Sequence, residues 1–155
     1  MTTEIAHQAT ILVIDDEVDI LDLLEMILEL EGYCVITAGD GNQGLQLAKT
    51  HRPDLILLDL MMPGMDGYAV VEMLKAKPDL ATIPVIMLTA LAQGNERIQG
   101  LTAGAEDYIT KPFESQELVL RIESVLSRTL PIKYICLLYT SDAADERSSV
   151  DLGGR

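Results

Sequence analysis

Five positions hold the chemistry this sequence can offer: the acid pair Asp15-Asp16, the lone Asp59, Thr89 and Lys111. Four of them follow short apolar runs directly: Ile-Leu-Val-Ile before Asp15, Leu-Ile-Leu-Leu before Asp59, Val-Ile-Met-Leu before Thr89 and Tyr-Ile-Thr before Lys111. If the runs are neighbouring strands, three carboxylates converge on one rim. Like charges packed this way repel, and burial raises their cost. A hard divalent cation offsets them, because Mg2+ takes oxygen ligands and keeps waters for a phosphate group. Lys111 adds a fixed positive charge and Thr89 a hydroxyl donor. Acids with a metal, a lysine and a hydroxyl make a cradle for a phosphoryl group, whose transfer needs mainly positioning and charge stabilisation. Asp59 is the best nucleophile candidate, at the end of the central strand and apart from the acid pair. Each residue alone has a plainer reading. Asp15 or Asp16 could cap the next helix, Thr89 could be a turn residue, and Lys111 before a proline could be a solvated loop residue. The conjunction on one sheet edge favours a site.

The elements that would position these residues alternate strictly. Short β-branched runs occupy Thr10–Ile14, Tyr33–Ala38, Leu55–Leu58, Ile83–Leu88 and Tyr108–Thr110. Segments of helical period occupy Val18–Leu30, Gly41–Thr50, Gly67–Lys75, Asn95–Ala103 and Ser115–Arg128. The runs are apolar almost throughout, as suits strands covered on both faces. Five β/α pairs predict an α/β domain: one doubly wound parallel sheet with right-handed crossovers and helices on both sides. In such sheets sites form at the carboxyl ends of the strands.

Composition narrows the function. The chain has 155 residues, the size of one domain. It is 48% hydrophobic but only 4% aromatic, so the core is aliphatic. Cys34 and Cys136 are too few for a disulfide framework, and Cys34, inside an apolar run, reads as a buried thiol in a reducing compartment. A net charge of −14 argues against direct nucleic-acid binding by this chain's own surface. No signal peptide opens the chain, and no apolar stretch reaches the roughly 20 residues of a membrane helix, so the expected location is cytoplasmic and away from the membrane. Residues 1–9 read as a disordered N-terminal tail and 10–129 as the domain. Residues 130–155 carry no sixth β/α unit and read as the start of a linker or as artefactual adapter-derived sequence.

The residues around the strand ends resemble the receiver (CheY-like) family of response regulators. The matching stretches are Val-Ile-Asp15-Asp16-Glu17, Leu-Leu-Asp59-Leu-Met-Met-Pro63-Gly64-Met65-Asp66-Gly67, Met-Leu-Thr89-Ala90 and Ile-Thr-Lys111-Pro112-Phe113. The resemblance implies a single-domain (βα)5 sandwich with strand order 2-1-3-4-5. It implies that Asp59 accepts a phosphoryl group from a sensor histidine kinase or phosphotransfer protein. It implies Mg2+ held by Asp15, Asp16, Asp59 and the backbone carbonyl of Met61, Lys111 on the phosphoryl oxygens, Thr89 moving toward them, and Tyr108 turning inward as the switch. The Lys111–Pro112 bond is expected to be cis. Asp66 is better placed to cap the next helix than to bind metal. A finer resemblance, to OmpR/PhoB-type receivers, implies a homodimer on phosphorylation through the fourth predicted helix, the fifth strand and the last helix. The bridges would be Arg97–Glu117, Asp107–Arg121 and Glu106–Arg128, although Glu117 and Arg121 could also pair within one helix. Such a chain would be no enzyme beyond its own phosphorylation and dephosphorylation. The rival readings fit less well. A dehalogenase-type phosphatase wants Asp-x-Asp after the first strand, and a flavodoxin-like binder wants a Ser/Thr/Gly-rich loop there. A phosphorylation-independent interaction module would have no need of the intact site.

Overall fold

Strands with no polar face must be covered on both sides, and the covering is visible in a computed structural model that describes residues 9–62, 64, 66–89 and 104–129. The expected helix Asn95–Ala103, Arg97 within it, and the segment 130–155 lie outside the described residues. Five strands, β1 (Thr10–Ile14), β2 (Cys34–Ala38), β3 (Leu55–Asp59), β4 (Val85–Thr89) and β5 (Asp107–Thr110), form one parallel sheet in the order β2-β1-β3-β4-β5. The described helices are α1 (Val18–Leu30), α2 (Gly41–His51), α3 (Gly67–Lys75) and α4 (Ser115–Thr129).

Successive strand side chains point to opposite faces, so each apolar run splits between two cores. Leu12, Ile14, Ile56, Leu58, Val85 and Met87 pack with Leu45 and Ala48 of α2 and with Val70, Val71 and Leu74 of α3. Ile11, Val13, Leu55, Leu57, Ile86, Leu88 and Ile109 pack with Leu24, Ile27 and Leu28 of α1 and with Leu118, Ile122, Val125 and Leu126 of α4. The two aliphatic cores fix the register, since a one-residue slip would send every strand side chain to the wrong layer.

The element boundaries shift slightly from expectation. Tyr33 belongs to the turn after α1, where its N–H donates to the Leu28 carbonyl. Ile83 is likewise held in a turn by Leu80, so β4 begins at Val85. Ala9, placed in the tail by the sequence, is buried, and its carbonyl accepts from Cys34 N–H at 3.0 Å. The expectation of a buried Cys34 is corrected: its thiol is exposed. Tyr33 takes the inward position, which sends Cys34 outward, and β2 is an edge strand paired only with β1.

Local caps set the helix starts nearest the site. Asp40 accepts from Gln43 N–H at 2.7 Å, and the Gln43 amide oxygen accepts in return from Gly39 N–H at 2.9 Å. Asp66 caps α3 as expected, accepting from Ala69 N–H at 2.9 Å. Asp66→Ala should therefore lower stability by about 1 kcal/mol, read as a shifted urea midpoint at unchanged slope. An unchanged midpoint would mean that the cap contributes nothing.

Candidate functional site

The sheet order brings the four reactive strand ends together. Asp15 follows β1, Asp59 ends β3, Thr89 ends β4, and Lys111 follows β5. The backbone ladder runs past the strands and fixes these ends: Asp15 N–H donates to Ala38, Leu60 N–H to Leu88, and Lys111 N–H to the Thr89 carbonyl at 2.6 Å. Asp15, Asp59 and Thr89 are buried, whereas Asp16 is exposed at the rim. Carboxylate oxygens of Asp15, Asp16 and Asp59 all lie within 4.8 Å of one another.

Lys111 sits among the acids. Its Nζ is 2.9 Å from Asp15 Oδ2, 3.4 Å from Asp59 Oδ1 and 3.7 Å from Glu17 Oε1. Asp15 Oδ1 accepts from Glu17 N–H at 2.9 Å, so Asp15 is spent on the loop and the lysine. The capping alternative for the acid pair is not realised, because the N-cap position of α1 is Glu17 and carries no side-chain cap bond. Asp59 Oδ1 also accepts from Met61 N–H at 3.3 Å. The hydrogen bonds of Asp59 fall on Oδ1, and Oδ2 has none among the described residues.

One lysine does not compensate the acids fully. Burial pushes Asp59 up to about 7, and the Asp15 charge adds to this, against the opposing pull of Lys111 and the Met61 N–H. Burial disfavours the Lys111 ammonium, but its hydrogen bond to Asp15 and the charges of both aspartates outweigh that and hold its pKa above the usual lysine value. A 4% exposed carboxylate this close to two others suits a divalent cation, and the donor set is all oxygen, as Mg2+ prefers.

The surrounding loops match their expected geometry. Lys111–Pro112 is cis. Gly64 has φ +85°, in the left-handed region, and Met61 is exposed. Tyr108 is 4% exposed and packs in the core shared with α2 and α3. On the proposed pairing face, Arg121 is bonded within its own chain, to Asp107 Oδ1 at 2.9 Å and Oδ2 at 3.1 Å and to Glu117 Oε2 at 3.2 Å. Glu106 and Arg128 are exposed. The sequence reading missed the contact of Glu17 with Lys111, and it expected Asp107–Arg121 between two copies, whereas the structure has this pair within one chain. The signal for the missed contact was a third consecutive acid.

Comparison with known proteins agrees with this geometry. The family model for the response regulator receiver domain matches residues 11–123. The chain is 49% identical over 119 residues to the DNA-binding dual master transcriptional regulator RpaA of Synechocystis sp., covering 77% of this chain and 49% of that protein. It is 40% identical over 145 residues to the phosphate regulon transcriptional regulatory protein PhoB of Pseudomonas aeruginosa, covering 94% and 58%. It thus spans about half the length of these relatives. As one of them is described as DNA-binding, the acidic balance read above speaks for this chain's surface and not for a longer protein. Among solved structures, a response regulator from Chloroflexus aurantiacus superposes with a TM-score of 0.74 at 39% identity, covering 77% of this chain and 98% of the other. The chemotaxis protein CheY4 of Vibrio cholerae gives 0.73 at 30%, covering 76% and 98%. Among the described residues no helix is long and apolar enough to cross a membrane. Strand order, strand-end acids and matched span agree, and the chain belongs to the response regulator receiver domain family of two-component signalling.

Proposed function

We propose that Asp59 is the phosphoacceptor, taking its phosphoryl group from the phosphohistidine of a sensor kinase or phosphotransfer protein. The observation that supports this most is the pairing of one oxygen without a hydrogen bond among the described residues, Asp59 Oδ2, with a lysine held against the other. Asp59 Oδ2 attacks phosphorus, the O–P bond forms as the P–N bond breaks, and the electron pair returns to the departing imidazole. Lys111, free to shift from Asp15 toward incoming phosphoryl oxygens, offsets their charge. Asp15, Asp16, Asp59 and the Met61 carbonyl are the groups that would hold Mg2+, and the ion would supply the remaining positive charge. Thr89 then contributes a hydroxyl from the end of β4, and Tyr108, on the neighbouring β5, follows it as the switch. The chain acts on no substrate other than its own phosphoryl group. In a longer protein of the relatives' length, the receiver would control an attached output, of the DNA-binding kind described for RpaA.

Intact mass after incubation with acetyl phosphate and Mg2+ tests this reading. One added phosphoryl group is expected, absent when Mg2+ is chelated and absent in Asp59→Asn. No added mass, with rapid hydrolysis excluded by beryllofluoride trapping, would leave a phosphorylation-independent interaction module.

A further inference from the structure

Glu17 is the one residue of the Asp15-Asp16-Glu17 run with no part in the chemistry above. It occupies the N-cap position of α1 with extended backbone (φ −96°, ψ 115°), the place where a short polar side chain would normally bond the helix N–H groups. Its side chain makes no such bond. Its carboxylate instead lies 3.7 Å from Lys111 Nζ while remaining 63% exposed. Its backbone is fixed to the site, because its N–H donates to Asp15 Oδ1. It stands outside the group of acids that could share a metal ion, which comprises Asp15, Asp16 and Asp59.

These placements give Glu17 a distinct position in the electrostatics of the lysine. Lys111 Nζ is shared by three acids at 2.9, 3.4 and 3.7 Å. Two of them, Asp15 and Asp59, have other work in phosphoryl transfer, one as metal ligand and the other as nucleophile. Once they turn to it, Glu17 is the carboxylate that still faces the lysine. We infer, on the proposed reading of Asp59 as phosphoacceptor, that Glu17 is a positioning residue whose carboxylate anchors the Lys111 amine at the mouth of the site during transfer. It touches no reacting atom and acts only through Lys111. The contact is largely exposed, so its effect is modest: loss of one such pair corresponds to about a two- to five-fold change.

The test compares Glu17→Gln and Glu17→Asp with Asp19→Asn, which removes a nearby first-turn acid of α1 and so controls for charge alone. The readout is the maximal rate and the half-saturating donor concentration for phosphorylation by acetyl phosphate at saturating Mg2+. Both Glu17 variants should lose about two- to five-fold in maximal rate at unchanged half-saturation, since Asp keeps the charge but is too short to hold the amine. Asp19→Asn should leave the maximal rate unchanged. A double-mutant cycle of Glu17→Gln with Lys111→Met, measured by thermal unfolding of the metal-free protein, should show a non-zero coupling. A coupling of zero, or Glu17 variants that track Asp19→Asn while the wild type is phosphorylated, overturns the inference and leaves the phosphoacceptor reading standing. A wild type that takes up no phosphoryl group overturns both.

Discussion

Asp59→Asn should make the metal-free protein more heat-stable at pH 8, and the gain should fade as the pH falls toward 5. Burial first, and Asp15 second, raise the Asp59 carboxyl from its ordinary 3.8 to about 7. A group whose pKa is raised on folding favours the fold in its protonated form. Its contribution is complete below the unfolded value, near pH 4, and is lost as the pH rises through about 7. Above that, an ionised Asp59 must sit beside Asp15 with one lysine to serve both. Asparagine keeps the shape and the acceptor for Met61 N–H and removes the charge. The full shift would correspond to about 4 kcal/mol. That value already contains the pull of Lys111; relaxation of the pocket around an ionised Asp59 reduces the effect, so a gain on the order of 2 kcal/mol is expected, roughly 5–10 °C in melting temperature. Scanning calorimetry in chelator at pH 5 and pH 8 checks it. A mutant that melts no higher than wild type at pH 8 would show that Lys111 already neutralises the pocket.

The second large effect comes from a residue with no functional group. A methyl placed on Gly67 would lie 2.9 Å from the Asp59 carbonyl oxygen, 2.9 Å from Leu60 Cα and 3.1 Å from Met87 Cε. Two of these atoms are backbone and cannot swing away. Gly67 N–H also donates to the Leu60 carbonyl at 2.9 Å, clamping the start of α3 to the end of β3. Alanine would favour the helix by about 1 kcal/mol, but the overlap wins, because it must push the helix start off the peptide that carries Asp59. Gly67→Ala should cost about 2–3 kcal/mol and should slow phosphorylation, although every side chain of the site remains. Gly64→Ala is the contrast: among the described residues nothing lies within 4 Å of the added carbon, and its φ of +85° penalises the change by about 1 kcal/mol. Urea unfolding with acetyl phosphate kinetics separates the two. Equal losses would mean that α3 yields freely to the methyl group.

The sheet and the site were legible in the sequence for the same reason. Uninterrupted runs such as Leu55–Leu58 can exist only between two helical layers, and the first polar residue after each run must fall on the sheet's edge. Asp15, Asp59, Thr89 and Lys111 were found that way, and Asp66 through its position before a helix. Facing was harder to read. The run Tyr33–Ala38 does not reveal which residue turns inward, and the choice depends on the Tyr33–Leu28 turn bond and on β2 being an edge. Contacts between long flexible side chains were harder still. Glu17 meets Lys111 from 94 positions away in the sequence, and Arg121 reaches Asp107 from a neighbouring element; neither distance follows from spacing along the chain.

Arg121 also changes how pairing between copies must be counted. Its guanidinium already spans both oxygens of Asp107 and reaches Glu117. A partner's acid that recruited Arg121 would not create an ion pair; it would displace one. The driving force of such a swap is a difference between two similar bonds, from which much of the charge and salt dependence cancels. Arg121 would then choose between neighbours without adding much strength to either, acting as a selector of register.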